Sequence, residues 1–124
     1  MPKKRQMKEK IANLIAEEGR TAGSLTFIFC SDEYLLNMNI EYLNHHWLTD
    51  VITFDYSRNT TVAGDIFISI DRVGDNATTF SAEFDTELNR VIFHGLLHLC
   101  GYSDKTSAEK ELMREKENYY LNSL

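Results

Sequence analysis

The chain has little that would let it cross a membrane, coat nucleic acid or brace itself with disulfides. No stretch approaches the roughly 18–20 consecutive apolar residues that a helical span needs. The basic opening, MPKKRQMKEKIANLIAEEG, runs into an amphipathic segment rather than the apolar core of a secretory signal. There is one proline, no low-complexity tract and no internal repeat. Two cysteines, Cys30 and Cys100, sit in apolar surroundings and read as the buried free thiols of a reducing compartment; a single bridge between them is possible, but nothing in the sequence calls for it. Together these features point to the cytoplasm. Positive charge is also scarce. Thirteen Lys and Arg against nineteen Asp and Glu leave a net charge of −6, whereas domains that coat nucleic acid non-specifically have pI values above about 9. Lys3, Lys4, Arg5, Lys8 and Lys10 crowd the start and leave the remainder strongly acidic. The cluster reads as a solvated helix face, with a phosphate-contacting patch as the alternative.

What is present suits one α+β domain spanning residues 1–124: 43% apolar and 26% charged residues, with room for a single core. Residues 5–18 space Ile11, Leu14 and Ile15 helically and stop at Gly19. SLTFIFC (24–30) alternates as a strand. Ser31 is placed to cap a helix that opens with Asp32 and Glu33 and runs to about Asn44. VITFDY (51–56) and DIFISI (65–70) read as strands joined by a connection, SRNTTVAG. Helical character resumes near Asp71, breaks loosely around Thr78–Ser81, and runs through EFDTELNRVIFHGLLHLC to Gly101. Thr106 and Glu109 form a T-x-x-E capping box that opens a last helix. The expected order is α-β-α-β-β-α-α, a small mixed sheet covered by helices.

The stretch FHGLLHLCGYSDK (93–105) carries chemistry. Residues four apart on a helix stand one above the other, with Cβ atoms about 5–6 Å apart. His94 and His98 therefore point the same way and can share one metal ion. Gly101 can end the helix in a left-handed conformation, so the chain folds back and Asp104 brings a carboxylate oxygen to the same place. Two nitrogens and one oxygen leave a tetrahedral Zn²⁺ with one position open to water, the arrangement of a catalytic rather than a structural zinc. The bland alternative is a pair of satisfied core histidines; the added glycine and carboxylate at ligand spacing favour the metal. Cys100, two residues past His98, faces about 200° away on a helix and belongs to the core. His-x3-His-x2-Gly-x2-Asp is similar to the metzincin protease pattern with Asp for its last His, but Gly95 stands where that pattern has its general base, and glycine cannot move a proton.

HGLLHLCGYSD also resembles the H-G-x-L-H-L-x-G-Y-D-H signature of the YbeY family of rRNA-maturation endoribonucleases. EYLNHHWLTDVITFDY, GDIFIS and LMREKE resemble further segments of that family, in the right order over about residues 34–120. The resemblance implies a zincin-like metal-binding helix packed on a sheet, one bound zinc per chain, and a role in processing single-stranded RNA. The expected substrate is ribosomal RNA, notably the 16S 3′ end, with a further part in ribosome quality control. It also implies the ribosome or a ribosomal subunit as partner, with no membrane or DNA involved. Carried onto this sequence, the metal ligands are His94, His98 and Asp104, the last being histidine in most of the family. The family's loop arginine is replaced by Leu48, in a loop shorter by several residues; arginine forks suit phosphate oxygens. Family members usually carry a strand ahead of the first helix, which leaves room for residues before Met1.

The expected chemistry is a metal-dependent hydrolysis of phosphodiesters, with the ion polarising a phosphoryl oxygen and activating its water as nucleophile; no dedicated protein base or substrate-binding residue is assigned. Two alternatives stand beside it: a ribosome-assembly RNA-binding module whose metal is structural, and a metalloprotease-like hydrolase. His45 and His46 read as exposed loop residues, with phosphate contact as the alternative. Trp47, Tyr56 and Tyr102 are flat faces on which unpaired bases stack, although Trp47 is expected to pack. Asp50 and Asp65 are expected to cap and position backbone.

Overall fold

The structure, a computed structural model, describes residues 4–122. Among them are five helices and three strands: α1 (Lys4–Glu17), β1 (Thr21–Cys30), α2 (Asp32–Leu43), β2 (Val51–Asp55), β3 (Thr61–Ser69), α3 (Ile70–Thr79), α4 (Phe84–Leu99) and α5 (Ser107–Asn122). Lys3 and the side chain of Lys4 lie outside the described residues; Arg5 and Lys8 of the same basic cluster are exposed.

The expected α+β class holds, with a mixed sheet of order β1-β3-β2. β3 runs parallel to β1 and antiparallel to β2. Its alternation decides the layers. Val62, Ile66 and Ile68 are fully buried and join Leu14 and Ile15 of α1, Leu88, Val91, Leu96 and Leu97 of α4, and Met113 and Tyr120 of α5 in one core. Phe67 points the other way, toward Tyr34 of α2 and Phe54 of β2.

The edge strand β1 and the central strand β3 differ from their sequence expectations. β1 starts three residues before Ser24 and β3 four residues before Asp65, because close backbone approach, not hydrophobic alternation, builds their first halves. A Cβ on Gly23 would lie 2.8 Å from Thr61 Cγ2, and one on Gly64 would lie 2.4 Å from the Phe54 carbonyl oxygen. The register shifts between Ala22 and Leu25, a bulge where the side-chain period is lost. The helical stretch from Asp71 to Cys100 is two helices rather than one interrupted one. Ser81 takes a left-handed conformation, φ 54°, after Phe80 closes α3, and α4 restarts at Phe84.

Other local expectations hold. Ser31 Oγ accepts from the Tyr34 N–H at 3.1 Å. Thr106 Oγ1 accepts from the Glu109 N–H at 3.1 Å while Glu109 Oε1 accepts from the Thr106 N–H at 2.9 Å, a complete capping box. Gly19 has φ 75° and ends α1.

Candidate metal centre

The site is built on α4, which is apolar on most sides: Leu88, Val91, Ile92, Phe93, Leu96, Leu97 and Leu99 are all buried. Gly95 faces the sheet. A Cβ there would lie 3.0 Å from Ile66 Cγ2 and 3.4 Å from Thr53 Cγ2, so the helix packs closely on the sheet and a side chain at this position would crowd Ile66. The residue next to the first histidine thus has a packing reason to be glycine, and glycine offers no group to act as a base.

At its end α4 closes in a Schellman motif. The Gly101 N–H donates to the His98 carbonyl and the Tyr102 N–H to the Leu97 carbonyl, both at 3.0 Å, with Gly101 at φ 106°. Arg20 Nη2 adds a 2.7 Å bond to the Cys100 carbonyl. The chain is thereby turned back along the helix, and Asp104 arrives beside the two histidines.

There the three sequence-derived residues meet. His94 Nε2 and His98 Nε2 lie 3.0 Å apart, and Asp104 Oδ2 lies 3.2 Å from the first and 3.4 Å from the second. A tetrahedral ion 2.0–2.1 Å from each ligand would separate them by about 3.3–3.4 Å. Each histidine is oriented from behind. His98 Nδ1 donates to the Tyr102 carbonyl at 3.0 Å, and His94 Nδ1 donates to Glu117 Oε2 at 2.7 Å. With both Nδ1 atoms so occupied, neutral imidazoles turn bare Nε2 lone pairs toward one another and toward a carboxylate oxygen. Three electron pairs aimed at one point suit a cation, and this His94–His98–Asp104 group can hold a metal ion. The electrostatics agree. Burial pulls the His94 imidazolium down, yet the Glu117 hydrogen bond and the charges of Glu117, Asp50 and Asp104 more than reverse it, so positive charge is favoured there.

Glu117 was not singled out in the sequence. It is buried, 5% exposed, and is also held by Arg90 at 3.1 Å. Burial raises its carboxyl, but the His94 and Arg90 partners bring it below the ordinary value. Its signal is positional: Met113, Glu117 and Tyr120 are the buried stripe of α5, and a carboxylate in such a stripe calls for a partner.

Asp50 departs from expectation in part. Its carboxylate does accept backbone N–H bonds, including that of Val51, but it also faces the cluster, and burial raises its carboxyl. Asp50, His94 and Asp104 line two cavities at once. One, of about 390 Å³, opens under the loop after α2, beside Trp47 and His45. The other, of about 370 Å³, opens between α4 and α5.

Trp47 does not pack into the core, contrary to expectation. It is 58% exposed, stacked on His45 with centroids 4.3 Å apart. Buried Asn39 fixes the loop by donating from Nδ2 to the Trp47 carbonyl at 3.0 Å, so the short loop is anchored by backbone while its indole stays exposed against His45. Tyr102 is engaged through its hydroxyl with Glu18 at 2.6 Å. Tyr56 is exposed but lies with Asp65 beside Phe67 and α2, along a different cavity. Leu48 is half exposed. Cys100 is buried in the core as expected, its thiol pushed up to about 11 by burial. Cys30 is only half-buried, its Sγ donating to the Ile68 carbonyl at 3.5 Å.

A histidine pair one turn apart on a helix laid across a small mixed sheet, completed by a carboxylate beyond the helix-ending glycine, defines a zincin-like metalloprotein class. Within that class the chain belongs to the YbeY family: the family model, described as Endoribonuclease YbeY, matches residues 2–124. Relatives bearing that name include one from Flavobacterium johnsoniae, 51% identical over 87% of this chain and 78% of that protein, and one from Bacteroides thetaiotaomicron, 50% identical over 96% and 87%. Among solved structures, the solution structure of TM1509 from Thermotoga maritima aligns with a TM-score of 0.66 and 28% identity over 94% of this chain and 77% of that one.

Proposed function

We propose that this protein is a metal-dependent endoribonuclease that hydrolyses phosphodiesters in single-stranded RNA and acts in ribosomal RNA maturation, in the cytoplasm and in contact with ribosomal particles. The observation that carries the reading is the convergence of His94 Nε2, His98 Nε2 and Asp104 Oδ2 within 3.4 Å of one another, in a chain of the YbeY family. Zinc is the ion whose preferences match two imidazoles, one carboxylate and an open position. Such an ion would supply Lewis acidity toward a phosphoryl oxygen and lower the pKa of a bound water.

The protein's own part is positional. Tyr102 and Glu117 fix both imidazole tautomers, so each Nε2 keeps its lone pair directed at the donor cluster. Asp50 stands at the junction of the two cavities, its carboxyl raised above the ordinary value by burial. Exposed Trp47 offers an unpaired base a stacking face beside the cluster, a contact worth about 1–3 kcal/mol. Duplex RNA hides its base faces, which favours a single strand. With a net charge of −6, the chain as a whole repels RNA, so ribosomal partners would add affinity.

A protease is disfavoured because Ile66 closes the space beyond Gly95. The RNA-binding module with a structural metal draws support from the loop-side cavity, whose lining has no lysine or arginine to grip a scissile phosphate. Elemental analysis and cleavage assays separate these readings. The wild type is expected to carry about one zinc per chain and to cut single-stranded RNA in preference to duplex. His98→Ala should lose both metal and cleavage. Zinc without turnover would favour the binding module, and a wild type that takes up no metal after reloading would sink the hydrolase.

A further inference from the structure

The α4–α5 cavity has a charge pattern that the metal does not explain. It is about 370 Å³, and His94 and Asp104 of the donor cluster form one wall. Lys110 and Arg114, four apart on α5 and therefore on one face, form another; both are exposed. Neither has a salt-bridge or hydrogen-bond partner among the described residues.

The acidic groups around them are otherwise engaged. Glu117 is held by His94 and Arg90. Glu87 lies 3.9 Å from Arg90 and also feels the charge of Arg114 without a direct contact to it. Asp104 belongs to the donor cluster, and Asp50 Oδ2 accepts from Asn76 Nδ2 at 3.5 Å. Lys110 and Arg114 thus stand exposed at this rim with no direct ion pair among the described residues, in a chain that is acidic as a whole. On the opposite side of the cluster the loop cavity offers an indole but no lysine or arginine.

We propose that the α4–α5 cavity is a phosphate subsite for the RNA strand, with Arg114 and Lys110 as its cations. The proposal rests on the RNA reading above and adds a direction to it. A strand crossing the donor cluster sets a base against Trp47 on the loop side and a neighbouring phosphate against α5 on the other. Arg114 suits this role because its guanidinium can grip two phosphate oxygens together; Lys110 adds a mobile point charge one turn away. Both are positioning and affinity residues rather than catalytic ones.

The test is the salt dependence of binding, read by fluorescence anisotropy on the metal-loaded protein with a short single-stranded 2′-O-methyl RNA oligomer. Cleavage of the unmodified oligomer is measured alongside. For single strands each phosphate contact contributes about 0.7 to the slope of log K against log salt. Arg114→Ala and Lys110→Ala should each flatten the slope by about that amount, and the double variant should bind roughly tenfold more weakly at low salt. Arg114→Lys should keep the slope. Lys8→Ala, on α1 and outside the cavity, should leave it unchanged. All sites are exposed, and circular dichroism checks the fold.

An unchanged slope in the double variant, with wild-type binding and cleavage intact, overturns the subsite and leaves the nuclease reading standing. An equal loss with Lys8→Ala overturns it in favour of diffuse attraction. A wild type that neither binds nor cuts single-stranded RNA removes the nuclease reading, and the subsite with it.

Discussion

Glu117 sits in the buried stripe of α5 and reaches across to α4, where its Oε2 receives the His94 Nδ1–H at 2.7 Å. It fixes which nitrogen of His94 faces the donor cluster. Glu117→Gln keeps an acceptor but removes the charge, and should weaken metal binding about 10–100-fold while the fold survives; competition with a chromogenic chelator would measure it, and unchanged affinity would assign Glu117 to packing alone. The histidines themselves were legible because helical spacing is arithmetic: four residues is one turn, and both rings had to share a face. Asp104 was legible through Gly101, the residue that permits the reversal. Glu117 and Asp50 were less so, because their roles arise from elements distant in sequence. Trp47 was misjudged because a large aromatic is expected to be buried, whereas Asn39 anchors its backbone and leaves the indole outside.

Among the elements, α4 is constrained most tightly by its neighbour. Gly95 lets it press onto β3, and Ile66, the residue it meets, is fully buried. Gly95→Ala gains about 1 kcal/mol of helix propensity but overpacks at a cost of about 1–3 kcal/mol. The expected net result is a destabilisation of about 1 kcal/mol, seen as a lower urea midpoint at unchanged m-value; a stabilised variant would mean that α4 can shift. Most element types were readable from periodicity and caps, since α2 and α5 announce themselves by Ser31 and by the Thr106–Glu109 box. The first halves of β1 and β3 were not. Their Thr, Ala and Gly residues belong to a strand only because a neighbouring backbone lies against Gly23 and Gly64.

At the scale of the whole molecule, Glu18 gathers distant parts of the chain just beyond α1. It accepts from the Tyr102 hydroxyl at 2.6 Å and from the Tyr120 hydroxyl, and Lys116 lies 3.4 Å away. Burial raises its carboxyl, but the two tyrosine bonds and the Lys116 charge outweigh that and hold it below the ordinary value of 4.5. A carboxyl lowered by folding contributes stability that is present above its unfolded pKa and lost as pH falls through the folded one. The stability difference between wild type and Glu18→Gln should therefore be constant near neutrality and shrink below about pH 4.5. Urea midpoints across that range would show it, and a difference independent of pH would refute it. Tyr102, which Glu18 anchors, also supplies the carbonyl that orients His98. One histidine is thus braced by way of the first helix and the other by the last. During synthesis the donor cluster could not reach its final geometry when α4 emerges, only once α5 has docked. A chain released before α5 would lack the Glu117 carboxylate that turns His94 toward the donor cluster, so that histidine is set only in the finished molecule.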